Sequence, residues 1–212
     1  MSDAHPQFVG TTLSAICQML PRPQIMTGLF VELLQRHFRE GSFIEENPLR
    51  ELIWQDTPAT NILIESVWRW DPATTNRRPA IIVKRNAYKF QRLGIGDNRH
   101  QLQPADSEGH PHHLAMWNGS HTLFCLGGSG AQVELLASEV QRELTQFAPV
   151  IRQSLGLVRL GVDEVGPVSL LEEAQDNFAV PVNVEYAYFE AWMLRQVAPR
   201  LKDISLSTIT KF

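Results

Sequence analysis

One stretch, residues 121–147, constrains this chain more than any other. It opens on the apolar run His121-Thr-Leu-Phe-Cys-Leu126 and passes through Gly127-Gly-Ser-Gly130. Beyond the glycines, Val133, Leu136, Val140, Leu144 and Phe147 recur at spacings of three and four. Those spacings place the apolar side chains on one helical face. The expectation is a strand, a tight turn and a helix laid on a sheet, with Glu134, Ser138, Gln141, Arg142 and Thr145 on the opposite helix face, toward solvent or a neighbouring subunit.

Around this centre the patterning alternates between helix and strand. Ile25, Leu29, Phe30, Leu33, Leu34 and Phe38 make an apolar stripe over residues 25–39, and Gly41 follows as a stop. Asn47-Pro48 reads as a cap with proline in the first turn. Residues 11–20 read as a further short helix. Residues 62–70 and 80–85 read as two strands, and their short connection argues for an antiparallel hairpin. On the first strand Ile62, Ile64, Ser66, Trp68 and Trp70 share a face. Residues 91–113, with Gly94, Gly96, Pro104, Gly109 and Pro111, read as a long exposed loop.

Asn118-Gly119 between apolar runs is a hairpin signal joining a strand at 114–117 to the one at His121. Pro149 ends or kinks the helix near Ala148, with residues 151–155 as one further turn. Residues 157–171 read as a strand or bent pair, broken at Gly161 and at Gly166-Pro167. In 178–188 the alternation of Phe178, Val180, Val182, Val184, Tyr186 and Tyr188 is regular. Pro181 argues that this strand is an edge or begins there. Residues 204–209 read as a last short strand.

The fold class expected is α+β: a mainly antiparallel sheet with long hairpins packed against α-helices. The domain reading is a helical extension over 1–56, then an α+β domain over 57–212 with the exposed loop at 91–113. A chain of 212 residues suits one domain with elaborations, and a net charge of −4 gives no general attraction for nucleic acid. The first residues, Met1-Ser-Asp-Ala-His-Pro, lack the basic and apolar regions of a secretory leader, and no apolar run is long enough for a bilayer. Cys17 and Cys125 form no spaced motif, and Cys125 reads as a buried thiol in a reducing cytosol.

Candidate chemistry is thin. His110, His112, His113 and His121 lie near Asp106 and Glu108, a donor set that a small metal-binding enzyme would use. Most of them sit on a loop, which preorganises a metal poorly. Gly128-Ser-Gly130 resembles the start of a dinucleotide loop, but Val133 stands where its third glycine would fall, and no lysine follows. Ser120 and His121 are strand neighbours and point to opposite faces. No catalytic, cofactor or metal site is assigned, and no enzyme activity is expected.

The basic residues Arg77, Arg78, Lys84, Arg85, Lys89 and Arg92 surround Tyr88 and Phe90. They read as a nucleic-acid grip, a solvated hairpin tip or a salt-bridging subunit rim. The tryptophans at 54, 68, 70, 117 and 192 read mostly as core, with some as interface anchors.

From about Ile62 to Ile209 the chain resembles the tail terminator and head–tail joining proteins of the tailed-bacteriophage neck. Three features carry the resemblance. One is the hairpin of extended strands around Trp70 and Ala80-Ile-Ile-Val83, with a basic polar tip. The second is the strand–turn–helix in which Gln132-Val-Glu-Leu-Leu-Ala-Ser-Glu-Val140 follows the glycines. The third is the ending Leu170-Leu-Glu-Glu-Ala-Gln-Asp-Asn-Phe-Ala-Val-Pro-Val-Asn-Val-Glu-Tyr-Ala-Tyr-Phe-Glu-Ala-Trp192, followed by Ala198-Pro-Arg-Leu-Lys-Asp-Ile204. The resemblance implies a virion structural protein assembled in the host cytoplasm, a homo-hexameric ring that caps the tail tube and joins the tail to the head connector. Its partners would be the tube protein, a connector or stopper protein and, in some tails, sheath protein. DNA would be passing cargo only, and no membrane is involved. A stopper, tail-completion or sheath-cap protein is the alternative within the same region of the virion. On this reading Arg77, Arg78, Lys84, Arg85, Lys89, Arg92, Glu134 and Arg142 are the candidate subunit or partner contacts.

Overall fold

The computed structural model describes residues 23–42, 44–69, 79–92, 101–103, 112–171 and 174–193. The chain divides into two compact units. The larger joins Ile16–Gln91 to Met116–Phe189, and the smaller joins Met1–Ala15, Arg92–Ala115 and Glu190–Phe212. The class is α+β, as the alternation of helical and strand periods implies. Among the described residues the helices are α1 (Pro23–Glu40), α2 (Asn47–Arg50) and α3 (Gly130–Leu155). Its strands are β1 (Leu63–Ser66), β2 (Ala80–Arg85), β3 (Lys89–Gln91), β4 (Gln101–Gln103), β5 (His112–Gly127), β6 (Arg159–Val165), β7 (Ser169–Leu171) and β8 (Ala174–Met193). In the smaller unit β4 pairs antiparallel with the first residues of β5, Gln101 with His113 and Gln103 with His112. Part of the loop expected over 91–113 is therefore strand.

The larger unit is built on the order β1-β2-β5-β8-β6, with β3 on β5 and β7 on β8. α1 and α3 cover one face. Met26, Phe30, Leu34 and Phe38 of α1 and Val133, Leu136, Val140 and Leu144 of α3 are buried against Ile64, Ile81, Val83, Leu123, Cys125, Val180, Val182, Val184 and Tyr186. Alternation puts the odd residues of β5 and the even residues of β8 on this face. The opposite face carries a smaller cluster of Leu63, Ala80, Ile82, Leu126 and Ala179. The extension helices α1 and α2 belong to the same compact unit as this sheet.

Several expectations are corrected. β1 and β2 are parallel, with Leu63 opposite Ala80 and Ser66 opposite Val83, so 62–70 and 80–85 are not an antiparallel hairpin. A parallel return needs about a dozen residues, and residues 67–79 supply that length. β1 ends at Ser66, and Trp68 stands 65 % exposed in the turn that follows. Asn118-Gly119 is not a turn: β5 runs unbroken through it.

Gly119 is there for contact. A Cβ at that position would lie 2.4 Å from Cζ of the buried Tyr186 ring, so glycine lets β8's tyrosine lie directly on the β5 backbone. α3 continues through Pro149 to Leu155 and stops at Gly156, whose φ of 63° suits glycine as a C-cap. Phe147, expected on the buried face, is 40 % exposed. The N-cap of α2 is Glu46 rather than Asn47, and it makes no side-chain cap bond. β6 crosses Gly161 without a break, whereas Gly166-Pro167 does separate β6 from β7.

Pro181 sits inside β8, neither at its start nor on a sheet edge. The β6 pairing ends at Val182 and the β7 pairing begins at Ala179, so the proline occupies the junction between them. Gly166 donates its N–H to the Pro181 carbonyl there at 2.8 Å. The donor that proline lacks would face this same junction, where no ladder partner needs it. The expected elements at 11–20 and 204–209, and Trp70 and Trp192, lie outside the described residues or side chains.

Gly119→Ala forces its methyl into a ring held on all sides by core packing. It is expected to lower unfolding free energy by about 1–3 kcal/mol, measured by urea denaturation, with Gly161→Ala, which meets no neighbour within 4 Å, as the near-neutral control.

Candidate functional site

Two polar clusters are built into the layer between helices and sheet. The first arises where α1 and α3 meet. His37 flanks the buried stripe of α1, and Glu139 and Glu143 flank that of α3 one turn apart. His37 Nε2 lies 2.7 Å from Glu139 Oε1, and His37 Nδ1 lies 3.0 Å from Glu143 Oε2. Arg142 donates to Glu139 at 2.7 Å and to Glu45 at 2.9 Å. Burial alone pushes the imidazole toward its neutral form. The hydrogen bonds and charges of Glu143, then of Glu139, outweigh it, and the pKa of His37 is raised. With both ring nitrogens held by carboxylates, His37 acts as a cationic clamp and has no nitrogen available as a base.

The second cluster lies on the core face of the sheet. Thr27 of α1 donates its hydroxyl to the Pro23 carbonyl at 3.1 Å, so His121 Nε2–H must donate to Thr27 Oγ1 at 2.8 Å. That fixes the neutral tautomer, with its lone pair on Nδ1. Burial, and then the charge of Arg85, lower the His121 pKa to about 4. Arg85 is opposite His121 in the β2–β5 ladder, and the Tyr186 ring lies 5.6 Å from the imidazole. His121 Nδ1, Arg85 Nε and Tyr186 Oη are buried without a hydrogen-bond partner. Burial also raises the Tyr186 pKa.

Of the candidate contact residues, Lys84 is exposed, with its ammonium 6.0 Å from the Phe124 ring. Arg85 stacks its guanidinium 5.7 Å over Tyr88 and is half-buried. Lys89, Arg92 and Glu134 are exposed. Arg142 is committed within the chain to Glu139 and Glu45. Arg77 and Arg78 lie outside the described residues. The basic residues are thus not one patch: neighbours on β2 face opposite sides, Lys84 outward and Arg85 toward the core. Trp117, half-buried, is flanked by Tyr88 at 5.4 Å and Phe90 at 5.8 Å, which makes an aromatic group of that segment.

His121 is a core residue, so it leaves the histidine loop, and His110 lies outside the described residues. Among the described residues no group of three His, Cys, Asp or Glu is placed to hold a metal. Cys125 is buried, and its thiol pKa is pushed up by burial. Among the described helices none is long and apolar enough to cross a membrane. Glu139, Glu143 and His37 were missed by sequence reasoning. Their signal was weak: two glutamates four apart beside an apolar stripe look like an exposed flank until a second helix covers them.

The remaining feature is the sheet's two ends. β1 and β6 terminate the strand order. The bonds from Leu63 N–H to Pro79 and from Val67 N–H to Val83 show that odd residues of β1 face β2. Alternation then turns the Ile64 and Ser66 N–H groups to the open side. Gln35 Nε2 reaches the Ile64 carbonyl there at 2.9 Å. A cleft of about 700 Å³ runs along this edge between α1 and β1, lined by Thr27, Val31, Ile64, Ser66 and Trp68 among others. Near the other end, Val158, Val165 and Leu170 are exposed. No protein-family model and no curated protein matches the chain.

The two histidines pull stability in opposite directions. His37, raised in the fold, contributes stability that is complete below about pH 6.5 and is lost as pH climbs through its folded value. His121, depressed to about 4, costs stability as pH falls from about 6.5 toward 4, by about 3 kcal/mol in full. Urea denaturation from about pH 4 to about pH 9 is expected to show a maximum near neutrality. His121→Gln should flatten the acid limb, and His37→Gln the alkaline one.

Proposed function

We propose that this chain is a structural protein of the tailed-bacteriophage neck, one subunit of a hexameric ring that ends the tail tube and joins it to the head connector. The observation that carries the reading is a sheet whose two ends are open among the described residues, each beside exposed apolar side chains. An unpaired strand edge is a template for another chain, and proteins that leave it bare need a reason. Two different edges on one subunit favour head-to-tail association, which closes into a ring when the rotation per subunit divides the circle. The β1 edge is equipped for that role. It offers outward N–H groups at Ile64 and Ser66, an adjoining cleft, and an exposed tryptophan, a residue type enriched at interfaces.

The resemblance of the strand–turn–helix and of the alternating β8 segment to neck proteins supplies the identity of the ring. The same geometry serves a stopper or tail-completion protein, so the reading names the neck first and the terminator within it. Tube, connector and sheath proteins would meet the ring's other surfaces, and its place would be the virion.

Light scattering after size exclusion, with negative-stain imaging, tests the reading. The expected result is a six-fold ring. Ser66→Pro removes an outward N–H without touching the β2 ladder, and Trp68→Ser removes the exposed ring; each should leave the circular dichroism spectrum intact and shift the assembly to monomer. A wild-type chain that stays monomeric at about 0.1 mM, where even weak contacts are populated, overturns the ring.

A further inference from the structure

Three strands in the interior of the sheet order, β2, β5 and β8, each send one polar side chain to the same corner of the core face: Arg85, His121 and Tyr186. Both His121 and Tyr186 are 0 % exposed. His121 Nδ1, Arg85 Nε and Tyr186 Oη are buried, and none has a hydrogen-bond partner among the described residues. Buried polar atoms are almost always paired, so three in one corner call for a common partner.

Their placement allows one. Asn86 donates its N–H to the Ser120 carbonyl at 3.0 Å. The cross-strand pair before it, Arg85 with His121, is therefore a non-hydrogen-bonded pair. Side chains stand closest at such pairs, with Cβ atoms about 4.5–5.5 Å apart. The Tyr186 ring lies 5.6 Å from the imidazole, centroid to centroid. Gly119 is two residues from His121 and on the same strand face. A Cβ there would lie 2.6 Å from Tyr186 Oη, so the glycine admits the hydroxyl at the position next to the imidazole. After burial, and for Tyr186 after its neighbour Tyr188, the charge of Arg85 is the next influence on the titration of both rings.

The chemistry of the three atoms selects the partner. Arg85 Nε–H only donates, and its positive charge rejects a cation. His121 Nδ1 presents a lone pair, because the Nε2 proton is given to Thr27, and a lone pair rejects an anion. The Tyr186 hydroxyl does either. What fits is a small neutral group that accepts and donates at once, and three hydrogen bonds are what a buried water typically makes.

We propose that Arg85, His121 and Tyr186 bind one internal water molecule, which accepts from Arg85 Nε–H and Tyr186 Oη–H and donates to His121 Nδ1. The water completes a hydrogen-bonded chain that continues from His121 Nε2–H to Thr27 Oγ1 and from the Thr27 hydroxyl to the Pro23 carbonyl. Three strands are thereby tied to the first turn of α1. The site uses neither open end of the sheet and does not rest on the ring reading.

Oxygen-17 relaxation dispersion of the full chain, which detects long-lived internal water, tests the site directly. The expected result is one long-lived water in the wild type that is lost in the double variant Arg85→Met/Tyr186→Phe, where only His121 Nδ1 remains. Urea denaturation gives a second reading through its sign. Tyr186→Phe should lower the folding equilibrium constant about two- to tenfold, because a hydroxyl bonded to water loses that bond; removing an unpaired hydroxyl would stabilise the chain instead. Arg85→Met and Tyr186→Phe act on one shared water, so their effects should depart from additivity by about twofold or more. If the double variant does not fold, Tyr186→Phe alone carries the test through its sign. A Tyr186→Phe chain more stable than the wild type overturns the proposal. So does equal dispersion in the wild type and the double variant with additive effects on stability, the pattern of a direct bond from Tyr186 to His121.

Discussion

The structure of the larger unit depends on a single dry layer, in which the apolar stripes of α1 and α3 lie against one face of the sheet. β8 contributes Val180, Val182, Val184 and Tyr186 to it, β5 contributes Leu123 and Cys125, and β2 contributes Ile81 and Val83. Each fully buried side chain of this size is worth about 1.5–3 kcal/mol, so the register that brings these faces together is strongly preferred. A slip of one residue in β8 would turn the whole set outward. The glycine turn at residues 127–130 delivers α3 onto that face. A Cβ at Gly127 would lie 3.1 Å from Val133, so the helix starts close against the strand it has just left.

Polar groups inside this layer are tolerated because each has a defined neighbour, and the places where that fails are informative. His37 spans two carboxylates of α3 and so ties α1 to α3 by charge as well as by packing. Removing either carboxylate would leave the buried imidazolium with one counter-ion in place of two. Around His121 the accounting is incomplete. The Thr27 bond fixes the ring's tautomer, yet Nδ1, Arg85 Nε and Tyr186 Oη remain unsatisfied. Such groups are rare in cores and identify this corner as the least settled part of the packing.

The surface carries the assembly reading through its geometry. Helices occupy one face of the sheet, while the two ends of the strand order remain unpaired among the described residues. A single chain can leave both ends open only if solvent or another copy satisfies their backbone groups. Trp68 stands exposed at one end, and Val158, Val165 and Leu170 are exposed near the other.

Much of this was legible in the residues. The strand–turn–helix at 121–147, the stripe of α1, the alternation of β8 and the break at Gly166-Pro167 follow from periods of 3.6 and 2 and from backbone chemistry, which are local. Where local signals had two uses, tertiary structure chose between them. Asn118-Gly119 can make a turn or admit a neighbouring ring, and Tyr186, distant in sequence, decided for the ring. A short connection between two strands can mean a hairpin or a parallel return, and pairing of Leu63 with Ala80 decided for the return. Glu139 and Glu143 can be a solvated flank or a buried clamp, and His37, on another helix, decided for the clamp. By itself the sequence determined the helical stripe of α1, the strand–turn–helix at 121–147 and the alternation of β8, with the apolar face of each, because those patterns repeat within a few residues. Only the tertiary structure decided strand direction, the role of Gly119 and the identity of the buried polar partners, because each depends on contacts between residues far apart in the chain.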